Sequence, residues 1–325
     1  MEKRIVLTGG PGSGKTTVLN SIVNIYSSLG VKVIVVSETA TEIINSGIKP
    51  FGDDKIDLLD FQELVLSLQL SKEKLFDRSI ELYKKSHPDK DILVIYDRGA
   101  IDNKAYINDK DFNSILNQVC QNSYSSILNK YDLVIDLIGA KSFYTLENNH
   151  ARSESADAAL ELGEKTLKSW TGHPKVKIVS PKEKMEDKVA EVISYINELL
   201  DKKILKKQKK YLIDINESDL NYLFENGVSS FIEQCYLVSS KDEEKRIRKT
   251  IINDSPSYEL TIYEKNRNGK VLKSSKSISE KIYNELKEFK IPGSYGIRKY
   301  RVYFTYEDTY MYVDIFVDGE KYEEY

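Results

Sequence analysis

Cysteine and histidine are scarce in this sequence, and long apolar runs are missing. Two cysteines, Cys120 and Cys235, stand among 325 residues. They match no metal-ligand spacing and lie far apart, which excludes a disulfide framework and points to a reducing compartment. The three histidines, His87, His150 and His173, are too scattered for a His-rich metal site. No apolar run reaches the ~18 residues that a membrane span needs, and no signal peptide precedes the first apolar stretch. The expectation is a cytoplasmic protein without a transmembrane segment. An excess of one charge is also missing: 48 basic residues face 51 acidic ones, a formal charge of −3. Such balance argues against a dedicated nucleic-acid binder.

The length, at about 100–200 residues per domain, suggests two domains. In the first half, β-branched runs alternate with helical patterns. Arg4–Leu7, Val31–Val36, Ile92–Tyr96, Leu133–Leu137 and Val176–Val179 read as strands, apolar on both faces, as buried parallel strands are. Helices are expected over Lys15–Leu29, Thr39–Asn45, Leu58–Lys85, Asp111–Lys130, residues 156–169 and Lys184–Leu200. This alternation predicts an α/β fold with right-handed crossovers. The texture changes near residue 201, where Asp201–Lys210 holds six lysines. That run reads either as a solvated face or linker, or as a contact for phosphate or anionic lipid headgroups. Beyond it, alternating strands are expected at Tyr211–Ile215, Phe231–Val238, Arg246–Ile252, Tyr258–Tyr263, Tyr300–Tyr306 and Thr309–Val317, with one helix at Ser279–Phe289. This half reads as an antiparallel α+β domain. The boundary is placed at about 202–206, where composition shifts.

Gly9-Gly10-Pro11-Gly12-Ser13-Gly14-Lys15-Thr16 fits G-x-x-x-x-G-K-[ST] in full, between an expected strand and an expected helix. Glycines let backbone N–H groups converge on phosphate oxygens, and the helix N-terminus adds partial positive charge. Lys15 would reach the outer phosphates and Thr16 would ligate Mg²⁺, with Thr17 beside it. ATP or GTP is the expected ligand. Mg²⁺ also calls for acids. Asp97 closes the third strand, where ligands gather in such sheets. Glu38, closing the second, could help hold the metal or accept a proton from a substrate hydroxyl; it could also be a first-turn helix charge. Arg98 would bind substrate, neutralise phosphate charge or form a surface ion pair. Asp102 would contact substrate or cap a helix. Arg152, in a polar segment, would serve as a lid arginine or stand in solvent.

These motifs resemble the P-loop domains of NadR-like and TRPL-translocation-defect-like proteins, a family often catalogued as AAA-type and similar to nucleoside kinases. The matching pieces are Gly9–Thr17, Ser37–Ile43, Asp97–Tyr106, Tyr131–Leu137 and Lys168–Pro174. Glu38 with Asp97-Arg98 is similar to the acid and acid-arginine order of deoxynucleoside kinases. Phe61-Gln62 and Gln69 lie where such enzymes bind a base. Read from the residues, Trp170 is a core aromatic and His173 a turn residue. The resemblance implies a three-layer P-loop kinase-type domain over 1–202, fused over 203–325 to a CYTH-like (triphosphate tunnel) barrel. There the tunnel's Glu-x-Glu-x-Lys is replaced by Lys206-Lys207-Gln208-Lys209-Lys210, with only Lys210 matching. A metal-dependent triphosphatase is therefore not expected. The remaining candidates are basic: Lys210, Arg246, Arg248, Lys249, Arg298, Lys299 and Arg301. Alternation puts Lys299 and Arg301 on one strand face and Arg298 on the other.

Three functions follow from this reading. One is phosphoryl transfer to a nucleoside-like or other small hydroxyl acceptor. Another is nucleotide-regulated binding of a polyanion, phosphoinositide or polyphosphate, with GTP and phospholipid binding implied by the resemblance. The third is a plain ATPase serving a larger assembly.

Overall fold

The computed structural model describes residues 1–120, 123–139, 156–200, 211–240, 242–265, 271–294, 296–306 and 309–317. Arg152, Lys210 and the lysine run lie outside these. Two compact units divide the chain, the first made of Met1–Asn122, Ile127–Asp214 and Tyr306–Tyr310, the second of Ser123–Ser126, Ile215–Thr305 and Met311–Tyr325, so that the helix Tyr124–Leu128 and the strand Thr309–Phe316 each begin in one unit and end in the other.

In the first unit the strands are β1 (Glu2–Thr8), β2 (Lys32–Val36), β3 (Ile92–Asp97), β4 (Leu133–Leu137) and β5 (Val176–Val179). They form a parallel sheet in the order β2-β3-β1-β4-β5. The order reverses at β1, so the crevice beyond its carboxyl end is where ligands of open α/β sheets sit. The helices are α1 (Lys15–Ser28), α2 (Thr39–Asn45), α3 (Leu58–Ser86), a 3-10 helix (Ala100–Ala105), α4 (Asp109–Val119), α5 (Tyr124–Leu128), α6 (Ala156–Ser169) and α7 (Met185–Leu200). One sheet face buries Ile5, Leu7, Leu93, Ile95, Ile135 and Leu137 against Val18, Ile22 and Tyr26 of α1 and Val192 and Ile196 of α7. This is the expected P-loop α/β domain.

The helix expected over Asp111–Lys130 is two helices. Cys120 takes extended backbone angles, and Ser123 then caps the N–H of Ser126. Trp170 is fully buried, as read from the sequence. His173 is fully buried too, and it closes the expected turn, its N–H bonded to the Trp170 carbonyl at 3.0 Å. Its Nδ1 accepts from the Lys175 N–H at 3.1 Å, and its Nε2 donates to the Tyr131 carbonyl at 3.0 Å. That pairing suits one neutral tautomer. Burial drives its pKa down to about 4 from an ordinary 6.5. The unfolded chain therefore takes up this proton first as pH falls, and stability drops between about pH 6.5 and 4. The expected loss is about 3 kcal/mol. Urea unfolding at pH 7, 5.5 and 4.5 measures it, and His173→Gln should flatten that part of the profile.

The second unit holds α8 (Glu217–Asn226), β6 (Val228–Leu237), β7 (Glu243–Ile252), β8 (Ser255–Lys265), β9 (Val271–Ser277), α9 (Glu280–Lys287), β10 (Ile297–Tyr306) and β11 (Thr309–Phe316). The sheet order is β11-β10-β6-β7-β8-β9. The pairings of β10 with β6, β6 with β7, β7 with β8 and β8 with β9 are antiparallel. Among the described residues the two edge strands do not pair, so the sheet is open there; the expected barrel closure is not seen. Tyr211–Ile215, expected as a strand, has no sheet partner, and Leu212 is fully exposed. One sheet face packs Cys235, Leu237 and Ile247 on Tyr283 of α9. Among the described residues no helix is long and apolar enough to cross a membrane.

Candidate functional site

The phosphate-loop sequence joins β1 to α1 as expected. Gly9, Gly12 and Gly14 take positive φ angles of 128°, 74° and 89°. At Gly9 an added Cβ would stand 2.3 Å from the Leu137 carbonyl oxygen. At Gly10 it would meet the Ala159 carbonyl at 2.6 Å and the Cα of Gly163 at 3.0 Å. Small residues of α6 thus back directly onto the loop. Lys15 Nζ donates to the Gly9 and Gly10 carbonyls at 2.9 Å each. Burial and the neighbouring Arg98 pull its pKa to about 8, against the pull of Glu38, Asp97 and Asp102. It is mostly charged at pH 7.

Sheet register brings the acids to the loop. Asp97 pairs with Leu7, one residue before Thr8. Glu38 ends the β2–α2 connection and is met by Arg98, whose Nε lies 2.7 Å from Glu38 Oε1. Thr41 donates to Glu38 Oε2 at 2.9 Å. Burial works to raise the pKa of Glu38, but Arg98, Lys15 and Thr41 prevail and hold it below the usual range. Glu38 is an ionised carboxylate with both oxygens engaged. Arg98 itself has φ 65°, a left-handed conformation that costs a side chain of this kind about 1 kcal/mol or more. Its Nη1 is buried and has no hydrogen-bond partner among the described residues.

Asp97 differs from Glu38. Burial and the Glu38 charge raise its pKa, with Lys15 and Arg98 opposing, and its Oδ1 is buried with no hydrogen-bond partner among the described residues. The exposed Thr16 lines the same cavity. A carboxylate with an orphaned oxygen and a hydroxyl lining one cavity fit a hard divalent cation such as Mg²⁺, which takes few protein ligands and completes its shell with phosphate and water. Among the described residues no group of three or more His, Cys, Asp or Glu could hold a metal alone.

Asp102 is committed elsewhere. Its carboxylate accepts from the Thr8 hydroxyl, from Gly99 N–H at 2.6 Å and from Trp170 Nε1 at 3.2 Å. The bond to Gly99 caps the 3-10 helix, and Trp170 locks the arrangement from behind. The capping role is thus formed, and Asp102 also lines the cavity described next.

One cavity of about 690 Å³ contains Pro11–Thr17, Glu38, Asp97 and Arg98. It extends past Ile44 and Phe51 to Phe61, Gln62, Val65 and Gln69 of α3. Gln69 is spent on Thr39 and Glu73, whereas Gln62 Oε1 is buried with no partner among the described residues. On the other side lie Pro181, Lys182, Met185 and Lys188. The sequence reading named none of these last four as site residues, because nothing in a polar turn and a helix start marks them.

In the second unit, Arg246, Arg248, Lys299 and Arg301 share one sheet face, while Lys249 and Arg298 take the other, over the rings of Tyr258 and Phe231. Asp314 binds Lys299 at 2.7 Å and Arg301 at 2.6 and 2.8 Å. Arg248 donates to Gln234 Oε1 at 2.9 Å. Arg246 lies over the ring of Tyr263, and its Nε is buried with no partner among the described residues.

The model of the AAA domain family matches residues 4–188. No curated protein matches the chain. Among solved structures, the PH1819 protein from Pyrococcus horikoshii OT3 is 19% identical, with a TM-score of 0.21. The match covers 29% of this chain and 61% of that one, so the chain spans under two thirds of that structure's length. A likeness that slight bears on nothing further.

Proposed function

The chain belongs to the AAA domain family, and from that premise we propose that it is a Mg²⁺-dependent phosphotransferase, moving a phosphoryl group from ATP or GTP to a hydroxyl of a nucleoside-like or other small acceptor. The family match and the phosphate loop point to nucleotide binding. The observation that carries the rest is the continuity of one cavity from the loop, past the Glu38–Arg98 pair, to the apolar floor around Phe61 and Val65. A plain NTPase has no use for that far end. Gln62 Oε1, buried and partnerless, suits a flat ring carrying an N–H donor.

Thr16 and Asp97 would hold Mg²⁺, which would supply positive charge against the phosphate tail. Loop amides and Lys15 grip the triphosphate tail. The acceptor hydroxyl gives its proton to the Glu38 carboxylate as its oxygen bonds to the γ-phosphorus and the nucleoside diphosphate leaves. Arg98 offers its free Nη1 to the charge on the moving group. Positioning and electrostatics of this kind supply most of the catalysis in phosphoryl transfer. Incubation of nucleosides with γ-labelled ATP and GTP tests the reading. Label is expected in at least one nucleoside monophosphate. Tight nucleotide binding with no labelled acceptor would overturn it.

A second reading rests on the second unit: its basic face binds a polyphosphate or a phosphorylated headgroup without hydrolysing it. Burial, then the neighbouring Arg246 and Arg301, depress the Arg248 pKa despite Glu259. Crowded cations beside an orphaned guanidinium N–H favour an anion. In a Lys15→Ala background, Arg246→Gln should weaken tripolyphosphate binding. Vesicles with and without phosphoinositide separate lipid from free phosphate, and unchanged binding removes this reading.

A further inference from the structure

Lys188 belongs to the first turn of α7, outside every motif considered above. Its side chain is buried, at 5% exposure. The ammonium group donates to the Ser13 carbonyl at 2.9 Å and to the Ile138 carbonyl at 2.7 Å. Ser13 lies inside the phosphate loop, and Ile138 follows β4. Ile138 is itself fixed, its N–H bonded to Val179 of β5 at 3.0 Å. Met185, one turn earlier on the same helix face, closes on the loop too: a Cβ at Gly14 would stand 2.9 Å from Met185 Cε.

Burying an ammonium group is costly unless its protons are bonded. Two backbone carbonyls at these distances offset that cost, but a plain hydrophobic contact would fill the space more cheaply. The position of the bond suggests why a lysine stands there. A trans peptide sets its C=O and N–H on opposite sides. Holding the Ser13 oxygen toward α7 therefore turns the Gly14 N–H the opposite way. Gly14, at φ 89° and ψ 14°, is the hinge between loop and helix. It is also one of the loop positions whose amide must face an anion.

We propose that Lys188 is a positioning residue for phosphate binding: by fixing the Ser13–Gly14 peptide from behind, it presents the Gly14 amide to the triphosphate. This rests on the nucleotide reading of the loop. Lys188 touches no phosphate in this account. It acts through the loop and adds a fixed positive charge beneath it.

The test compares wild type, Lys188→Met, Lys188→Gln and Lys15→Ala as full chains. Binding of ATP, GTP and inorganic tripolyphosphate with Mg²⁺ is measured by calorimetry, and the Gly14 amide resonance is followed by NMR before and after tripolyphosphate. Lys188→Met should weaken all three ligands by one common factor, about tenfold or more, as expected for loss of charged hydrogen bonds. Its Gly14 amide should be shifted before any ligand is added. Lys188→Gln, which keeps a neutral N–H donor, should fall between; if the methionine variant does not fold, the comparison is read on the glutamine variant. Wild-type affinity, or a loss confined to the nucleotides with tripolyphosphate spared, overturns the proposal, the latter because it would mark a base contact. An unmoved Gly14 amide overturns it as well. Should Lys15→Ala bind like wild type, the nucleotide reading fails, while the ligand-independent Gly14 resonance still decides the role of Lys188.

Discussion

Arg98→Met is expected to lower single-turnover phosphoryl transfer by about a thousandfold, the range for an arginine that stabilises a transferring phosphoryl group. Nucleotide affinity should change far less, because the loop amides and Lys15 do the gripping. The stability cost should be about 2 kcal/mol, below the ~3–5 kcal/mol of a fully buried broken pair, since 27% of the Glu38 side chain is exposed and water can screen it. Arg98→Gly separates the two roles of the position. It loses the guanidinium like the methionine variant but relieves the left-handed strain at φ 65°, so it should be about 1 kcal/mol more stable than methionine at the same site. Rapid-quench transfer assays and urea unfolding read these quantities. Wild-type transfer in Arg98→Met would move the charge-stabilising role to another cation.

The parts of this site that were legible in the sequence are those fixed by local chemistry. Gly9–Thr16 announces itself because phosphate binding by backbone demands glycine, lysine and a hydroxyl in one order. The runs at Ile92–Asp97 and Leu133–Leu137 are legible because strands buried on both faces are largely apolar, and the more exposed Lys32–Val36 is legible from its β-branched residues. The helix Thr39–Asn45 has the bounds expected of it. What was hidden depends on partners distant in the chain. Asp102 and Trp170 are 68 residues apart, and nothing local tells that one donates to the other. Burial of His173 needs the Tyr131 carbonyl 42 residues away.

Misread elements have equally physical reasons. Val271–Ser277 (VLKSSKS) is too polar to suggest a strand, yet it is an edge strand on β8 whose Ser274–Ser277 stretch is exposed, and lysine is a common edge residue. Tyr211–Ile215 has strand-like alternation but finds no sheet to join. The helix Glu217–Asn226 was missed although Asn216 caps it, accepting from the Asp219 N–H at 2.8 Å. Its buried face is thin, with no fully buried residue, so apolar periodicity gave little signal. The basic face fared better, because strand alternation alone separates Lys299 and Arg301 from Arg298.

Gly9→Ala should be among the most damaging single-methyl additions in the first unit. Gly9 sits at φ 128°, a region nearly closed to L side chains, and strain there costs about 1–3 kcal/mol. The new Cβ would also stand 2.3 Å from the Leu137 carbonyl oxygen. That atom is backbone at the end of a buried strand and cannot swing aside, so overpacking adds about 1–3 kcal/mol more. Relief can come only from moving the loop, which takes its amides off the phosphate positions. Tripolyphosphate affinity should therefore fall by about a hundredfold, nearly 3 kcal/mol. Gly47→Ala is the matched control. Gly47 also has a positive φ, 105°, but nothing lies within 4 Å of its Cβ position. It should lose about 1 kcal/mol of stability and leave affinity unchanged. Calorimetric binding and chemical unfolding of both variants separate strain from collision. If Gly9→Ala binds tripolyphosphate as wild type does, the loop tolerates a shape other than the one β4 imposes, and the anion cup must be located elsewhere in the cavity.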